Sequence, residues 1–354
     1  MTDPDPTSRP AFEPYGGVTP PGPTPPGPTP VAGPPGPPGP PVTSAPSLLS
    51  VWLFVLLGVA AAVVGLLPWL ATGMRLSLQN LWAFETMPEA MPLALLPFSQ
   101  YALTSIVGLI VTGSAIAGLL ARALRRRMPR RGFAGLLVGV LGVQLIAVAQ
   151  TALVVQSGLQ RRFESTVYLL ALIALALFSI AVGVLLLWLI ARAPRAGALI
   201  GFAFGAIAVG FWASTLLAPF LGVGTVDVGW LLDWLRWVPA VLIGAAIAWC
   251  GVGTVGRVVA AIASLVVLWL APALATAVSS AVGTRVLATR PAEMLDYGVG
   301  VFSAASTIPE LVLPPIIVAI VVAGLGLALH AGISSARVGR SREGTGGGGG
   351  GGTA

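Results

Sequence analysis

Long apolar runs separated by short polar segments dominate the chain between Leu48 and Ala336. A helix of roughly 20 apolar residues is what crosses a hydrocarbon core about 30 Å thick. The chain holds about eight such runs, and no acidic residue or arginine lies at the middle of any of them. The pattern predicts an all-α fold, a polytopic transmembrane helix bundle of about eight spans, and therefore an integral membrane protein.

The predicted spans follow one another with short connections over much of the chain. They cover residues 48–71, 99–121, 133–156, 166–191, 197–221, 238–255, 258–282 and 310–335. Glycines at 251, 253 and 256 divide the sixth span from the seventh, because the apolar stretch 238–282 is too long for one crossing. The three longest loops, at 72–98, 222–237 and 283–309, then lie on the same side of the membrane.

The two ends of the chain have a different composition from the apolar body. Residues 1–46 form a Pro/Gly-rich arm with the repeat PPGPTPPGPTP, and residues 338–354 form a Gly-rich tail. Both ends are predicted to be disordered, because proline fixes φ and removes backbone donors, and glycine runs bury nothing. Residues 47–337 form the transmembrane domain. The arm is either a spacer or a docking site for a partner that recognises polyproline.

Arginine bias predicts the orientation of the bundle. Most of the 19 basic residues, all of them arginine, lie on the side of loop 122–131, whereas the acidic residues of the body lie mainly on the other side. Cytoplasmic loops carry the excess of positive charge. We therefore predict a multi-pass protein of the cell (plasma) membrane with both termini in the cytoplasm. The first span would serve as an uncleaved signal-anchor.

Composition excludes several classes of protein. Charged residues make up 9% of the chain, against about 25% in soluble domains. The net charge of +7 reflects arginines between apolar runs, which indicates a lipid bilayer as partner and no nucleic acid. Cys250 is the single cysteine, so neither a disulfide within the chain nor a zinc, haem or iron–sulfur site is expected. No cofactor, metal site or catalytic motif is predicted, and the protein is expected not to be an enzyme.

Two glutamines in the third span are candidate intramembrane polar residues. Gln144 and Gln150 each need a partner in lipid, because a buried amide without one is costly. Each either pairs with a neighbouring helix or lines a polar path. They lie about 240° apart on a helix, so they cannot share one narrow stripe.

A tryptophan-rich segment precedes the sixth span. Trp230, Trp234 and Trp237 share one helical face, and Asp233 and Arg236 form the polar side. This pattern is typical of an interfacial helix with indoles at headgroup depth. The alternative is a stacking surface for a sugar or a lipid headgroup. These residues are candidates for an outer-face interaction.

Glu310 joins this set of candidates at the start of the eighth span. It precedes Pro314 and Pro315, which predict a bent or broken helix, and Pro272 predicts a kink in the seventh span. A carboxylate is favoured at a helix N-terminus, so Glu310 is either a structural cap or a binding or gating acid.

Small residues at four-residue spacing predict close helix packing. Gly197, Gly201 and Gly205 form two overlapping GxxxG motifs in the fifth span. They predict contacts within the bundle, with a homo-oligomer as the alternative. The methionines at 74, 87 and 91 are too sparse to predict a copper site, and His330 is expected to be an interface residue.

The Pro/Gly-rich arm ahead of an apolar, lysine-free body resembles a group of multi-spanning membrane proteins of high-GC actinobacteria. The resemblance covers architecture and composition. It implies a membrane location and a cytoplasmic arm, and it assigns no functional residue.

Three functions are consistent with the sequence. The first is a non-enzymatic component of an envelope assembly, with the arm as its docking segment. The second is a permease-like transporter of a neutral, lipidic or amphipathic solute. The third is a membrane-embedded transferase that acts through the outer acids.

Overall fold

The computed structural model describes residues 50–77, 79, 81–217, 234–284 and 290–346, with side chains up to residue 331. Residues 1–49 and 347–354 lie outside this part, so the predicted disorder of the arm and of most of the tail is not addressed by it. The last helix includes residues 338–346 of the predicted tail.

The described part of the chain is helical, apart from loops and two isolated bridges. Its nine α-helices are α1 (Val51–Ala71), α2 (Leu103–Ala123), α3 (Gly132–Gly158), α4 (Phe163–Arg192), α5 (Arg195–Leu217), α6 (Val238–Cys250), α7 (Val255–Gly283), α8 (Pro291–Thr307) and α9 (Pro309–Gly346). The predicted all-α fold is confirmed.

Seven of the described helices are long and apolar enough to cross a membrane: α1 to α5, α7 and the Pro309–Ala331 part of α9. The chain is thus a multi-pass integral membrane protein. The sixth predicted span, 238–255, is shorter than expected, since α6 ends at Cys250 and measures about 20 Å at 1.5 Å per residue. The helix ends before Gly251, because this residue adopts a φ of 73°, a left-handed value that favours glycine.

The loop predicted at 283–309 contains a helix. α8 occupies Pro291–Thr307, begins with a proline in its first turn and carries Glu293 there. Its glycines and hydroxyl residues lower its mean hydropathy, and for this reason the sequence pattern did not separate it from the loop. It packs chiefly along α7.

α2 lies at the centre of the first half of the bundle. It contacts α1, α4 and α5 extensively, and 67% of its most apolar 18-residue stretch is buried. Small residues permit these close crossings. At the crossing of α1 with α3, for example, a side chain on Gly58 or Gly139 would collide with backbone of the facing helix.

α5 joins this half to the second half, where it packs against α6 and α7. The predicted contacts of its glycines lie within the bundle: Gly201 faces Ile190 of α4, and Gly205 faces Ala115 of α2. The homo-oligomer remains a prediction.

The bundle has two chemically different ends. The arginine-rich end holds the α2–α3 turn, residues 124–131, together with the α4–α5 and α6–α7 turns. The loop end holds residues 72–102 and the starts of α4, α6 and α9. Each described acidic side chain lies at the loop end, in line with the predicted division of charge. Which end faces the cytoplasm remains a prediction.

Candidate functional site

A cavity of about 380 Å³ opens at the loop end between α5, α6, α7 and α9. We call it the loop-end cavity. Its size lies in the range of small-molecule sites, roughly 300–1,000 Å³. Its deeper wall is apolar and includes the buried side chains of Ile207, Leu268 and Ala273.

The mouth of the loop-end cavity carries one positive and one negative side chain. Arg236, just before α6, and Glu310, in the first turn of α9, are both exposed there. They do not pair with each other; the ion pair between described residues joins Arg290 to Glu293. The Arg236 guanidinium lies 4.6 Å from the centre of the Trp237 ring, where a cation–π contact holds it.

Prolines shape the wall of this cavity. A proline has no N–H and therefore removes the donor that the carbonyl four residues earlier would use in a helix. Pro272 leaves the Leu268 carbonyl without that donor, and Pro314 and Pro315 do the same for Glu310 and Leu311. All three of these carbonyl-bearing residues line the cavity. These carbonyls are therefore candidate hydrogen-bond acceptors for a solute, beside the hydroxyls of Ser214 and Thr276 that line the same cavity.

Local hydrogen bonds hold the helix ends around the cavity. Trp269 donates its indole N–H to the Ser306 carbonyl at 2.9 Å, which fastens the end of α8 to α7. Thr276 donates its hydroxyl to the Pro272 carbonyl at 3.0 Å, in the turn that follows this proline. In both hydrogen bonds a side chain donates to a backbone carbonyl, and the sequence pattern did not predict either of them.

The structure therefore brings Arg236 and Trp237 together with Glu310, from which they are 74 and 73 residues apart in the chain. Trp234 is exposed (67%) at the same end, and its carbonyl accepts the Trp237 N–H at 3.1 Å. The other two members of the predicted interfacial segment, Trp230 and Asp233, lie outside the described residues.

Gln144 lies apart from this cavity, in the packed centre of the first half. Its carboxamide nitrogen donates to the Ile110 carbonyl at 2.9 Å and to the Ser114 hydroxyl oxygen at 3.1 Å, both in α2. Only 2% of Gln144 is exposed, and its Oε1 has no hydrogen-bond partner among the described residues. The geometry is that of a helix–helix contact.

Gln150 binds a loop, and this partner is neither the neighbouring helix nor the polar path expected from the sequence. Its Oε1 accepts the Leu95 N–H at 2.9 Å, and its Nε2 donates to the Leu93 carbonyl at 3.1 Å. The neighbouring Thr151 hydroxyl accepts the Leu96 N–H at 3.0 Å. Two adjacent side chains of α3 thus bind residues 93–96 as a strand partner would.

The loop between α1 and α2 is folded over the loop end by several such contacts. Tyr168 of α4 donates its hydroxyl to Gln79 Oε1 at 2.6 Å, and Gln79 Nε2 donates to the Phe98 carbonyl at 2.8 Å. Trp69 donates to the Ala94 carbonyl at 2.7 Å. We call residues 72–102 the folded cap. These hydrogen bonds leave no pattern in the sequence, because each joins residues far apart in the chain.

The weaker sequence candidates do not form a site. Met91 is buried (2% exposed) while Met87 is exposed (74%), so the two do not share a face. The His330 ring nitrogen lies 3.3 Å from the carbonyl oxygen of Gly326 in its own helix. Within the described residues, no group of three or more His, Cys, Asp or Glu side chains could hold a metal ion.

The chain matches no known family model, and no curated protein or solved structure is significantly similar to it. The resemblance to actinobacterial membrane proteins therefore stays a prediction. A functional proposal has to rest on the geometry of the cavity and on its charges.

Proposed function

We propose that this membrane protein is a non-enzymatic, permease-like protein that binds an amphipathic solute of no net charge in the loop-end cavity. The observation that carries the proposal is the joint presence of Arg236 and Glu310, unpaired with each other, at the mouth of one apolar cavity. A zwitterionic headgroup would match both charges, and its apolar part would enter between the helices.

The interior of the cavity supports the same class of solute. An apolar tail would contact Phe211, Leu268 and the prolines of α7 and α9. For a solute that arrives from water, burial of the tail contributes about 25 cal/mol per Å². For a solute that arrives from the bilayer this gain is small, because lipid is as apolar as the cavity, and the charges at the mouth then decide binding. The carbonyls freed by the prolines would accept hydrogen bonds from a headgroup that carries donors, such as an ammonium.

The helices that bound the cavity also suit a transporter. α7 and α9 contain Pro272 and the Pro314–Pro315 pair, and such interruptions are where membrane helices bend. Both helices continue through these prolines, so the broken helix considered from the sequence is absent, and a bend at the prolines is the alternative that fits a transporter. Bending at these positions would open or narrow the cavity without unfolding either helix.

A second candidate is a role as a component of an envelope assembly. It rests on the Pro-rich arm, which lies outside the described residues, and on the small part of α9 that other helices bury. Only 11% of the most apolar window of this helix is buried within the chain. The exposed side of α9 would face lipid in a lone protein and another helix in an assembly. The transferase alternative would need an acid that is essential for turnover.

Transport is tested in proteoliposomes that contain the full-length protein and a short-chain phosphatidylethanolamine with a fluorescent acyl chain. Chemical quenching from outside measures movement of the probe between leaflets. We expect movement that depends on the protein and falls about tenfold in Glu310→Gln, since one charged contact is worth roughly that factor. Glu293→Gln removes a paired acid outside the cavity and should leave movement unchanged.

Two results would count against the permease. One is the absence of any protein-dependent movement for zwitterionic, anionic and uncharged probes of the same chain length. The other is equal movement in Glu310→Gln, Arg236→Gln and the Glu293→Gln control. In either case, loss of a co-purifying protein on deletion of residues 1–44 would favour the assembly role.

A further inference from the structure

A second cavity, of about 520 Å³, opens near the arginine-rich end between α2, α5 and α6. We call it the arginine-end cavity. Its walls are formed mainly by apolar side chains, among them Ile116, Leu119, Phe202 and Leu242. It shares no lining residue with the loop-end cavity.

The length of the arginine-end cavity matches one lipid chain. Thr112 and Arg122 both line it, and ten residues of α2 separate them, which is about 15 Å along a helix. The hydrocarbon core of a bilayer is about 30 Å thick, so one leaflet contributes about half of that. The cavity therefore extends over roughly the depth of a single acyl chain in one leaflet.

Arg122 is fixed at the charged end of this cavity. Its Nη1 donates to the carbonyls of Ile190 at 2.7 Å and Ala193 at 3.2 Å, and its guanidinium lies 4.9 Å from the centre of the Trp249 ring. A guanidinium carries five N–H donors. Those on Nε and Nη2 have no acceptor among the described residues, so they are available to a ligand.

The surroundings of Arg122 are positive and uncompensated. Arg125 and Arg195 lie close enough to repel it, and Arg257 lies at the same end. Among residues whose side chains the structure describes, no Asp or Glu lies at the arginine-rich end. This excess of positive charge favours an anion beside the mouth of the arginine-end cavity.

We propose that the arginine-end cavity binds one anionic phospholipid, with an acyl chain between α2, α5 and α6 and the phosphate at Arg122. The phosphate accepts hydrogen bonds from Nε and Nη2, and the Trp249 ring keeps the guanidinium in place. Anionic headgroups are favoured at clusters of basic residues beside a membrane. This binding does not depend on the solute proposed for the loop-end cavity.

Native mass spectrometry of the full-length protein, relipidated in mild detergent, tests the site. Phosphatidylglycerol and phosphatidylcholine with the same acyl chains are compared for the fraction of protein that retains one lipid. We expect preferential retention of one phosphatidylglycerol, and about tenfold weaker retention in Arg122→Gln, because a charge-assisted hydrogen bond to the phosphate is lost. Arg126→Gln removes the same charge from an exposed residue outside the cavity and should retain the lipid as the wild type does.

A second variant separates lipid binding from folding, because Arg122 also bonds the end of α4. Ala246 lines the cavity and is half-buried, so Ala246→Leu fills space without changing any charge. We expect it to lower retention of phosphatidylglycerol while the melting temperature of the protein stays within a few degrees. Equal retention of both lipids, or an equal loss in Arg122→Gln and Arg126→Gln, would overturn the proposal, as would full retention in Ala246→Leu.

Discussion

The side-chain amide of Gln144 donates a 2.9 Å hydrogen bond to the backbone oxygen of Ile110 in the neighbouring helix. Ser114 also donates its hydroxyl to this oxygen, at 3.2 Å. Removal of the glutamine would leave the Ile110 carbonyl with Ser114 as its donor, and it would eliminate the unpaired Oε1. The Ser114 oxygen would lose one donor but would still donate its own hydrogen. The contact joins α3 to α2 at little net gain, since hydrogen bonds between membrane helices average about 0.6 kcal/mol.

Gln144→Leu is therefore expected to change the free energy of unfolding by less than about 1 kcal/mol. Solute movement should be unaffected, because Gln144 lines neither of the two cavities described above. Equilibrium unfolding in mixed micelles measures the first quantity, and the proteoliposome assay measures the second. A loss of transport at wild-type stability would restore the sequence-based alternative of a polar path through α3.

Gln150→Leu is expected to be more costly, although the substitution is the same. It would leave the partly buried Leu95 N–H without its acceptor, and an unpaired polar group costs about 1–3 kcal/mol when buried, whereas the exposed Leu93 carbonyl can bond water instead. The expected result is local opening of the folded cap, seen as faster amide exchange at Leu95. Gln156→Leu, at an exposed position of the same helix, is the control. Unchanged exchange in Gln150→Leu would show that the cap is held by other contacts.

Gly183 of α4 is expected to tolerate no side chain while Ser114 faces it. A methyl group on Gly183 would lie 2.5 Å from Ser114 Oγ, which is too close for any real contact. Gly183→Ala should lower the free energy of unfolding by about 1–3 kcal/mol, the usual cost of overpacking. Ser114→Gly in the same chain should recover part of this loss. The absence of any recovery would show that the clash involves backbone rather than this serine.

Much of the fold follows from hydropathy alone. The membrane imposes internal hydrogen bonding on each apolar run, so the first five spans and the seventh were predicted to within about four residues at each end. Hydropathy did not predict the helices of intermediate length or polarity correctly. α6 is apolar but short, and α8 is long but too polar to stand out from its loop.

The site was less accessible to sequence reasoning. Arg236 and Trp237 belong to one predicted interfacial segment and Glu310 is a separate helix-end candidate, and nothing in the sequence indicates that the segment and Glu310 meet at one cavity. Long-range packing of α6 against α9 brings them together. The folded cap could not be predicted for a similar reason. Gln150 bonds to backbone groups of the cap, and backbone groups leave no pattern in the sequence.

Pro272 is expected to keep the loop-end cavity open. Pro272→Ala would give the Leu268 carbonyl its helical donor and straighten α7, which narrows the cavity. We expect weaker binding of a zwitterionic probe with no loss of stability, since alanine favours a helix by about 3 kcal/mol over proline. Pro68→Ala in α1 is the matched control, because that proline lies outside the cavity. Equal effects of the two substitutions on binding would contradict this role.

The most direct test of the central claim is the affinity of two single-chain probes with identical tails, one zwitterionic and one uncharged. Dissociation constants are measured for the wild type, Arg236→Gln, Glu310→Gln and the double variant. We expect each single substitution to weaken binding of the zwitterionic probe about tenfold and to leave the affinity for the uncharged probe unchanged. Equal affinities of all four proteins for the zwitterionic probe would contradict a solute held by these two charges.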